Sequence, residues 1–582
     1  MSLSRPKTSA DAAATATPAT ATPRRPADAT TAADDDARAP HAAPAPAPRD
    51  NGADYGDAAA ALPSLRRAWR FWLLPATLGL LLTIFFIDPF AGDWDALDYT
   101  VNAVRGQPSS MLFGRMLFIF TNHAAYRVAH ALFGLQAEHA YLLFKYMVVF
   151  QSPFAVVACW TLARDLTASH RAATVAALML ALSPIFIVYS GQAMTETPSL
   201  LLLSVALTMH LRGVRAHKIW QVLAGAALLG LCVNIREPVG FFGLWLVLAP
   251  ACYGWKPGRR ELLLTALGCA IFLLCALAPF AVWWLLDVGG YRQSWYGWVA
   301  SMRAESALHP VRPANLLPFT QLFFITAPVA VAVLPFALYR EWRTRGWTPL
   351  LALAVVGLFC NLMLLGNYST VINARYQLTG LPGLVPLSAS YLVGRWTART
   401  RGAGGDARRD VGGDARRGFI YACATVMSIS LLVGSVAYAF TRQTLANHGM
   451  TKDYRARLAR LPADAVVMAG GQTVSINYYR GLGLGRWDVI GTGGGWPGAR
   501  LNDQIQQHLR QGRRVFIDVD PRLWSMSGWH EQETRALVNL ADRFRFRHYS
   551  ATFYELRPPD DESADDDPNL RVLLNKTKAK FR

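Results

Sequence analysis

Apolar residues run together in long blocks between Phe71 and residue 440, each closed by basic, polar or turn-forming residues. The first, FWLLPATLGLLLTIFFI from Phe71 to Ile87, is 17 residues without a charge. As a helix rising about 1.5 Å per residue it reaches about 26 Å, enough for a thin or slightly snorkelled membrane span. Comparable blocks lie near 140–162, 172–190, 198–211, 219–235, 239–253, 262–286, 319–339, 348–366, 378–394 and 419–440, so the pattern predicts eleven transmembrane helices. One further segment, 111–133 (MLFGRMLFIFTNHAAYRVAHALF), is apolar but carries Arg115, Asn122, His123 and Arg127. Treating it as a span would reverse the sidedness of every later loop. It is therefore expected to form one or two amphipathic helices on the outer leaflet.

Beyond residue 440 the period changes. Short β-rich runs (AVVMAG, WDVIG, RRVFIDVD, HYSATFYEL) alternate with polar helical stretches at 500–512 and 531–543, the pattern of a small α/β domain. The expected organisation is a disordered cytoplasmic tail at 1–62, where Ala, Pro and Thr leave too little apolar surface to offset ordering. A helical membrane domain follows at 63–440 with an outer loop at 88–139, then an extracytoplasmic α/β domain at 441–558 and a charged tail at 559–582. No signal peptide is expected, since no small-residue cleavage pattern follows the first apolar block.

Composition agrees with a polytopic membrane protein and places the charge. Of 582 residues, 52% are hydrophobic and only 17% charged, yet the net charge is +19; soluble chains carry about 25% charged residues. By composition alone such a charge also suits nucleic-acid binding, but its location argues otherwise. Arg66, Arg67 and Arg70 precede the first span, and basic residues fill the loops that parity puts inside: Arg164 and Arg171; Arg212, Arg215 and Lys218; Lys256, Arg259 and Arg260; Arg340, Arg343 and Arg345; then the run from Arg395 to Arg417. This is the positive-inside rule, and no nucleic-acid partner is implied. The seven cysteines all fall in or beside spans, so no disulfide framework is expected.

With the inner cations explained, the outer polar residues stand out. Asp88, Asp93, Asp95 and Asp98 follow the first span in DPFAGDWDALDY; carboxylates crowded at a membrane face suit general-base work. The plain alternative is a solvated acidic loop, with Asp93 as a helix N-cap and Trp94 and Tyr99 as interface anchors. A D-x-D pair can hold a divalent cation, although two carboxylates rarely complete an oxygen shell unaided. Glu196 lies in the outer turn AMTETPS, either capping a helix or binding an acceptor. Arg236 (NIREPVGFF) and Arg375 (NARYQLTGLPGL) are cations at short outer turns. Together they can grip a lipid phosphate, or pair with Glu237, Glu196 or the Asp loop. In the loop 287–318, Tyr291, Trp295, Tyr296 and Trp298 can stack on a sugar or isoprenoid, or form the ordinary aromatic belt. MAGGQ and GTGGG match no nucleotide-binding spacing, and HEQE at 530–533 lacks the second histidine of a zinc helix.

These motifs, in this order, resemble the GT-C glycosyltransferases. These polytopic enzymes use polyprenyl-phosphate sugars and include protein O-mannosyltransferases and the aminoarabinose transferases acting on lipid A. The likeness rests on GDWDALDY after the first span, MTETP after the third, IREPVGFF, and ARYQLTGLPGL before a late span, across roughly residues 70–395. Many relatives show Asp-Glu in the first loop followed by His-Pro-Pro or Lys-Pro-Pro. Here the loop reads Asp93-Trp94-Asp95 and then QPSSMLFGR.

The resemblance implies a polyprenyl-phosphate sugar as donor, with Arg236 and Arg375 holding its phosphate; no cofactor is assigned, and a divalent cation stays possible. Asp93 or Asp95 would take the proton of an acceptor hydroxyl on a glycolipid, glycan or protein, and Asp98, Glu196, Tyr376 and Trp295 would contact substrate. The alternative class is a carrier or flippase for lipid-linked saccharides, or a non-catalytic assembly protein. Transporters commonly show internal repeats and mid-span charges. Here no clear repeat is evident, and the charges gather at helix ends.

Overall fold

The computed structural model describes residues 68–109, 112–253, 258–308, 313–363, 373–402, 411–469, 472–490, 498–519, 539–540, 542–561 and 570. The expected 1–62 tail, GTGGG, HEQE and nearly all of the charged C-terminal tail lie outside these residues.

Over the described residues each apolar block is helical. The helices run α1 Trp69–Phe85, α2 Trp94–Arg105, α3 Met116–Phe133, α4 Ala140–Thr167, α5 His170–Ala181, α6 Pro184–Ser190, α7 Glu196–Arg215, α8 Ile219–Val233, α9 Leu244–Cys252, α10 Arg259–Leu286, α11 Tyr291–Leu308, α12 Leu316–Thr326, α13 Pro328–Arg345, α14 Pro349–Met363, α15 Leu381–Gly402 and α16 Val411–Lys452. Among the described residues, four helices are long and apolar enough to cross a membrane alone, or six if each bent pair counts as one span. The segment 111–133 is not among them. It is a 3-10 turn, Leu112–Arg115, followed by α3, whose Val128, Leu132 and Phe133 are exposed.

Two blocks expected as single spans are broken. The block at 172–190 bends by 64° between α5 and α6, and that at 319–339 by 107° between α12 and α13. In both, proline opens the second helix, Pro184 after the Ser183 cap and Pro328 after Ala327. A proline there gives no backbone N–H to the preceding turn, so the first helix ends. The boundary expected at 440 also falls inside an element, because α16 continues unbroken to Lys452.

After α16 come α17 (Tyr454–Leu458), α18 (Thr473–Gly481) and α19 (Gly498–Arg510), with strands β1 Val466–Met468, β2 Asp488–Ile490, β3 Val515–Asp518, β4 Arg545–Ser550 and β5 Phe553–Arg557. They form one sheet in the order β2-β1-β3-β5-β4. β1 pairs in parallel with β2 and β3, whereas β5 runs antiparallel to β3 and β4. Strand side chains alternate between faces. Val466, Met468, Val515 and Ile517 pack with Leu501 and Ile505 of α19. Val467, Phe516 and Phe553 join a core with Phe90, Leu97, Tyr141, Phe144 and Met194. One face of the sheet thus shares its core with α2, α4 and the loop that follows α1. Burial of each such aromatic contributes about 1.5–3 kcal/mol.

A close backbone approach sets the position of the segment before α15. A Cβ on Gly383 would meet the Leu353 carbonyl at 2.5 Å, and one on Gly357 would meet that of Gly380 at 2.6 Å. The absence of side chains lets α14 and α15 touch along their backbones, which brings the 3-10 turn Ala374–Gly380 against the bundle.

Candidate active site

Four chain segments widely separated in sequence meet at one end of the helical body. The first is the loop after α1. Asp93 caps α2, its Oδ1 accepting from the Trp94 N–H at 2.7 Å. Its own N–H donates to Gln192 Oε1 at 3.1 Å, and Asp95 lies in the first turn, where the helix dipole favours a carboxylate. The second is the start of α7, with Thr195 and Glu196. The third is the end of α8, where Arg236 and Glu237 enter the 3-10 turn Glu237–Gly243. The fourth is the turn carrying Arg375 and Tyr376, held by Asn373 Oδ1, which accepts from the Arg375 N–H at 3.2 Å and from the Tyr189 hydroxyl at 3.3 Å.

The charges interlock. Arg375 Nη2 lies 2.6 Å from Asp95 Oδ2, its Nη1 3.4 Å from Asp93 Oδ2, and its Nε 3.8 Å from Glu196 Oε1. Arg236 Nη1 pairs with Glu196 Oε1, with only 2% and 0% of the two side chains exposed. Both guanidiniums lie over the Tyr376 ring, 5.1 Å and 5.2 Å from its centre, a cation–π arrangement that disperses their charge without water. Of the two readings open for Arg236 and Arg375, the pairing is the one seen: both guanidiniums meet carboxylates of Glu196 and the Asp loop, because an unpaired guanidinium is costly to bury.

A third guanidinium belongs to the cluster. Arg115 is buried, has left-handed backbone (φ 50°), and pairs with Glu237 Oε2 at 2.7 Å. It also donates to Thr195 Oγ1 at 3.1 Å and to the Ile235 carbonyl at 3.3 Å. The sequence reading set Arg115 aside within a surface helix. Its signal was a charge in an otherwise apolar segment, but only the fold shows that the Leu112–Arg115 turn dips into the cluster.

The other expected contact residues divide. Asp98 Oδ2 accepts from Ser109 Oγ at 2.7 Å, and its Oδ1 from Asn102 Nδ2 at 2.9 Å. Burial, with the Asp95 charge adding to it, raises its pKa to about 6 against the lowering by these hydrogen bonds. Asp88 is turned away from the cluster and pairs with His448. Trp295 sits elsewhere, against Trp284 (ring centres 5.0 Å apart), Phe280 (6.2 Å) and Tyr296 (5.5 Å). The structure does not bring it to the charged cluster.

The place between Asp93 and Asp95 that a divalent cation would need is filled by the Arg375 guanidinium. Among the described residues no group of three or more His, Cys, Asp or Glu converges as a ligand set. What the arrangement offers is a carboxylate with one oxygen locked as a cap and the other held loosely, beside a set of desolvated guanidiniums.

Residues 121–285 match the family model described as dolichyl-phosphate-mannose-protein mannosyltransferase. Comparison with curated protein sequences returns no match. Among solved structures, ArnT from Cupriavidus metallidurans in the apo state aligns over 85% of this chain and 98% of its own, with 14% identity and a TM-score of 0.51. The same enzyme bound to undecaprenyl phosphate aligns over 86% and 100%, with 13% identity and a TM-score of 0.48. An Archaeoglobus fulgidus oligosaccharyltransferase tethered to an acceptor peptide aligns over 84% and 74%, with 10% identity and a TM-score of 0.49. In its fold and in the matched segment, this chain resembles the GT-C glycosyltransferases.

Proposed function

We propose that the protein is an integral membrane glycosyltransferase that moves a sugar from a polyprenyl-phosphate donor to an acceptor hydroxyl on the outer face of the membrane. One observation carries this reading: Asp93, Asp95, Glu196, Arg115, Arg236 and Arg375, from distant parts of the chain, converge in one cluster in which Glu196 and the three arginines are buried and the two aspartates partly exposed. Asp93, Glu196, Arg236 and Arg375 follow the first, third, fifth and ninth apolar blocks. Odd-numbered exits share one side if every block crosses, so their convergence supports the eleven-span arrangement and an outer-face site, with 441–558 on that same side.

Asp93 is the better candidate for the base. Asp95 is bound closely by Arg375, and its Oδ2 also accepts from the Tyr99 hydroxyl at 3.4 Å. Among the described residues, Asp93 Oδ2 has only the 3.4 Å contact. The cluster sets three guanidiniums against the carboxylates of Asp93, Asp95, Glu196 and Glu237, so it has no cationic excess, and a phosphate gains a donor there only by displacing a carboxylate. An arriving lipid phosphate draws Arg375 away from the longer of its two contacts with the Asp loop, the 3.4 Å one to Asp93, and that exchange frees Asp93 Oδ2. The freed carboxylate takes the acceptor O–H proton as the oxygen bonds to the anomeric carbon. The bond from that carbon to the phosphate oxygen breaks, and the lipid phosphate leaves with its charge held by Arg375, Arg236 and Arg115. Phosphate departs without protonation, so a second acidic carboxyl of the glycosidase kind has no part.

The test uses the full chain in lipid vesicles with synthetic undecaprenyl-phosphate mannose and undecaprenyl-phosphate aminoarabinose as probes and envelope extract as acceptor source. Undecaprenyl phosphate is expected to be released only when acceptor is supplied, and Asp93→Asn should abolish release. A carrier instead moves the probe across the vesicle intact, and that result overturns the proposal.

A further inference from the structure

The loop between α1 and α2, which presents Asp93, is held from two directions. From the helical body, Lys145 Nζ of α4 donates to the Asp88 carbonyl at 2.8 Å, and the Asp88 N–H donates to the Gly191 carbonyl at 3.1 Å. The Ala193 N–H donates to the Ala91 carbonyl at 2.7 Å. From the C-terminal part, His448 Nδ1, near the end of α16, pairs with Asp88 Oδ2, while Oδ1 of the same carboxylate accepts from the Phe90 N–H at 2.8 Å. Asp88 is fully buried and His448 nearly so. The Phe90 ring packs edge-on against Tyr141 of α4 at 5.0 Å and Tyr478 of α18 at 5.5 Å. The proposed reaction uses neither His448 nor Asp88.

We infer that His448 is a positioning residue: by binding Asp88 it fixes the loop that aims Asp93, so the C-terminal extension of α16 sets the geometry of the site. This rests on the proposed role of Asp93 for its kinetic consequence, but the clamp on the loop is independent of it.

The chemistry of the pair gives it a pH signature. Burial pulls the His448 imidazole down, but the Asp88 charge and hydrogen bond, with Asp93 at longer range, outweigh it and raise the pKa above the ordinary 6.5. The other charge near the pair is Lys145, bound to the Asp88 backbone, with Lys452 in turn close to Lys145. Because the folded value is raised, the protonated pair stabilises fully below pH 6.5 and loses that contribution as pH climbs through the raised value. Above it, the loop loses a charge-assisted bond.

The experiment measures hydrogen exchange of the 86–97 segment in the full-length protein, at pH 6 and pH 9, for the wild type, His448→Gln and His448→Ala. Expected are faster exchange in the wild type at pH 9 than at pH 6 after correction for intrinsic rates, fast exchange at both pH values in His448→Ala, and an intermediate rate in His448→Gln, which keeps a donor without the charge. With the undecaprenyl-phosphate mannose probe, His448→Ala should lower kcat roughly 10- to 100-fold with KM little changed, the scale of a misplaced reacting group, and His448→Gln should recover part of it. Loop exchange that does not change in either variant overturns the inference, as does a purely KM effect. If the exchange pattern holds while the wild type itself transfers nothing, the clamp stands and the glycosyltransferase reading fails.

Discussion

Arg375 places its Nη2 2.6 Å from Asp95 Oδ2 across 280 residues of sequence, with the Arg375 side chain only 8% exposed. A guanidinium fork presents two parallel donors, and here one serves Asp95 and the other reaches Asp93. That sharing makes the arginine both an anchor for one carboxylate and a removable partner for the other.

Arg375→Lys keeps the charge but replaces the fork with a point charge that cannot span both aspartates. Transfer from the undecaprenyl-phosphate mannose probe should fall about 10- to 1,000-fold, the range of lost transition-state charge stabilisation. Full activity in this variant would remove Arg375 from the proposed mechanism.

Asp93→Asn should lower kcat by about 10²- to 10⁴-fold, the usual contribution of a positioned base, while leaving probe binding in place. Asp95→Asn instead removes the anchor that positions Arg375, and the misplaced guanidinium should weaken binding of the probe as well. Steady-state kinetics of the two variants separate the roles, and identical profiles would argue against the division.

Glu196→Gln leaves Arg236 buried without its counter-charge. Breaking such a pair costs about 3–5 kcal/mol, so thermal unfolding in detergent should shift down markedly. Adding Arg236→Gln should recover part of the loss. A double variant no better than the single would show that the pair is not the source.

Asp98 has a folded pKa of about 6, above the ordinary 3.8. The fold therefore holds the proton more tightly than the unfolded chain does, and this contribution, complete below 3.8, is lost as pH rises through about 6. Melting curves between pH 4 and 7 should show it, and Asp98→Asn should flatten that part of the profile. An unchanged slope would assign the transition to another group.

Gly92 has φ +130°, and a Cβ there would lie 2.7 Å from both Cβ and Oε1 of Gln192, whose Oε1 receives the Asp93 N–H. Gly92→Ala should cost about 1–3 kcal/mol from the backbone alone and displace Asp93, lowering kcat. Gln192→Ala added to it relieves the clash but not the backbone strain, so unfolding should recover only in part.

Much of the molecule was legible along the chain. Apolar blocks marked the helices because a helix in hydrocarbon must be apolar over many turns, and α3 was separated from them by its internal charges. Acidic and basic residues at block ends marked Asp93, Asp95, Glu196, Arg236 and Arg375 as unusual. The bends at Pro184 and Pro328 and the run of α16 past residue 440 were missed. A sliding apolar pattern is blind to a missing N–H, and it reports where apolarity stops rather than where the helix does. Arg115 was misplaced because a single charge in an apolar segment reads the same whether it faces water or a buried partner.

The sequence alone determined that this is a multi-helix membrane protein with a C-terminal α/β portion, since hydrophobic period and length follow directly from residue order. It also supplied the charged residues of the site. Tertiary structure decided their partners: that Arg236 and Arg375 are engaged with Glu196, Asp93 and Asp95, that Arg115 joins them, and that Asp88 belongs to His448. Burial requires each charge to find a counter-charge, but which one it meets depends on chain crossings hundreds of residues apart, and no local pattern records those.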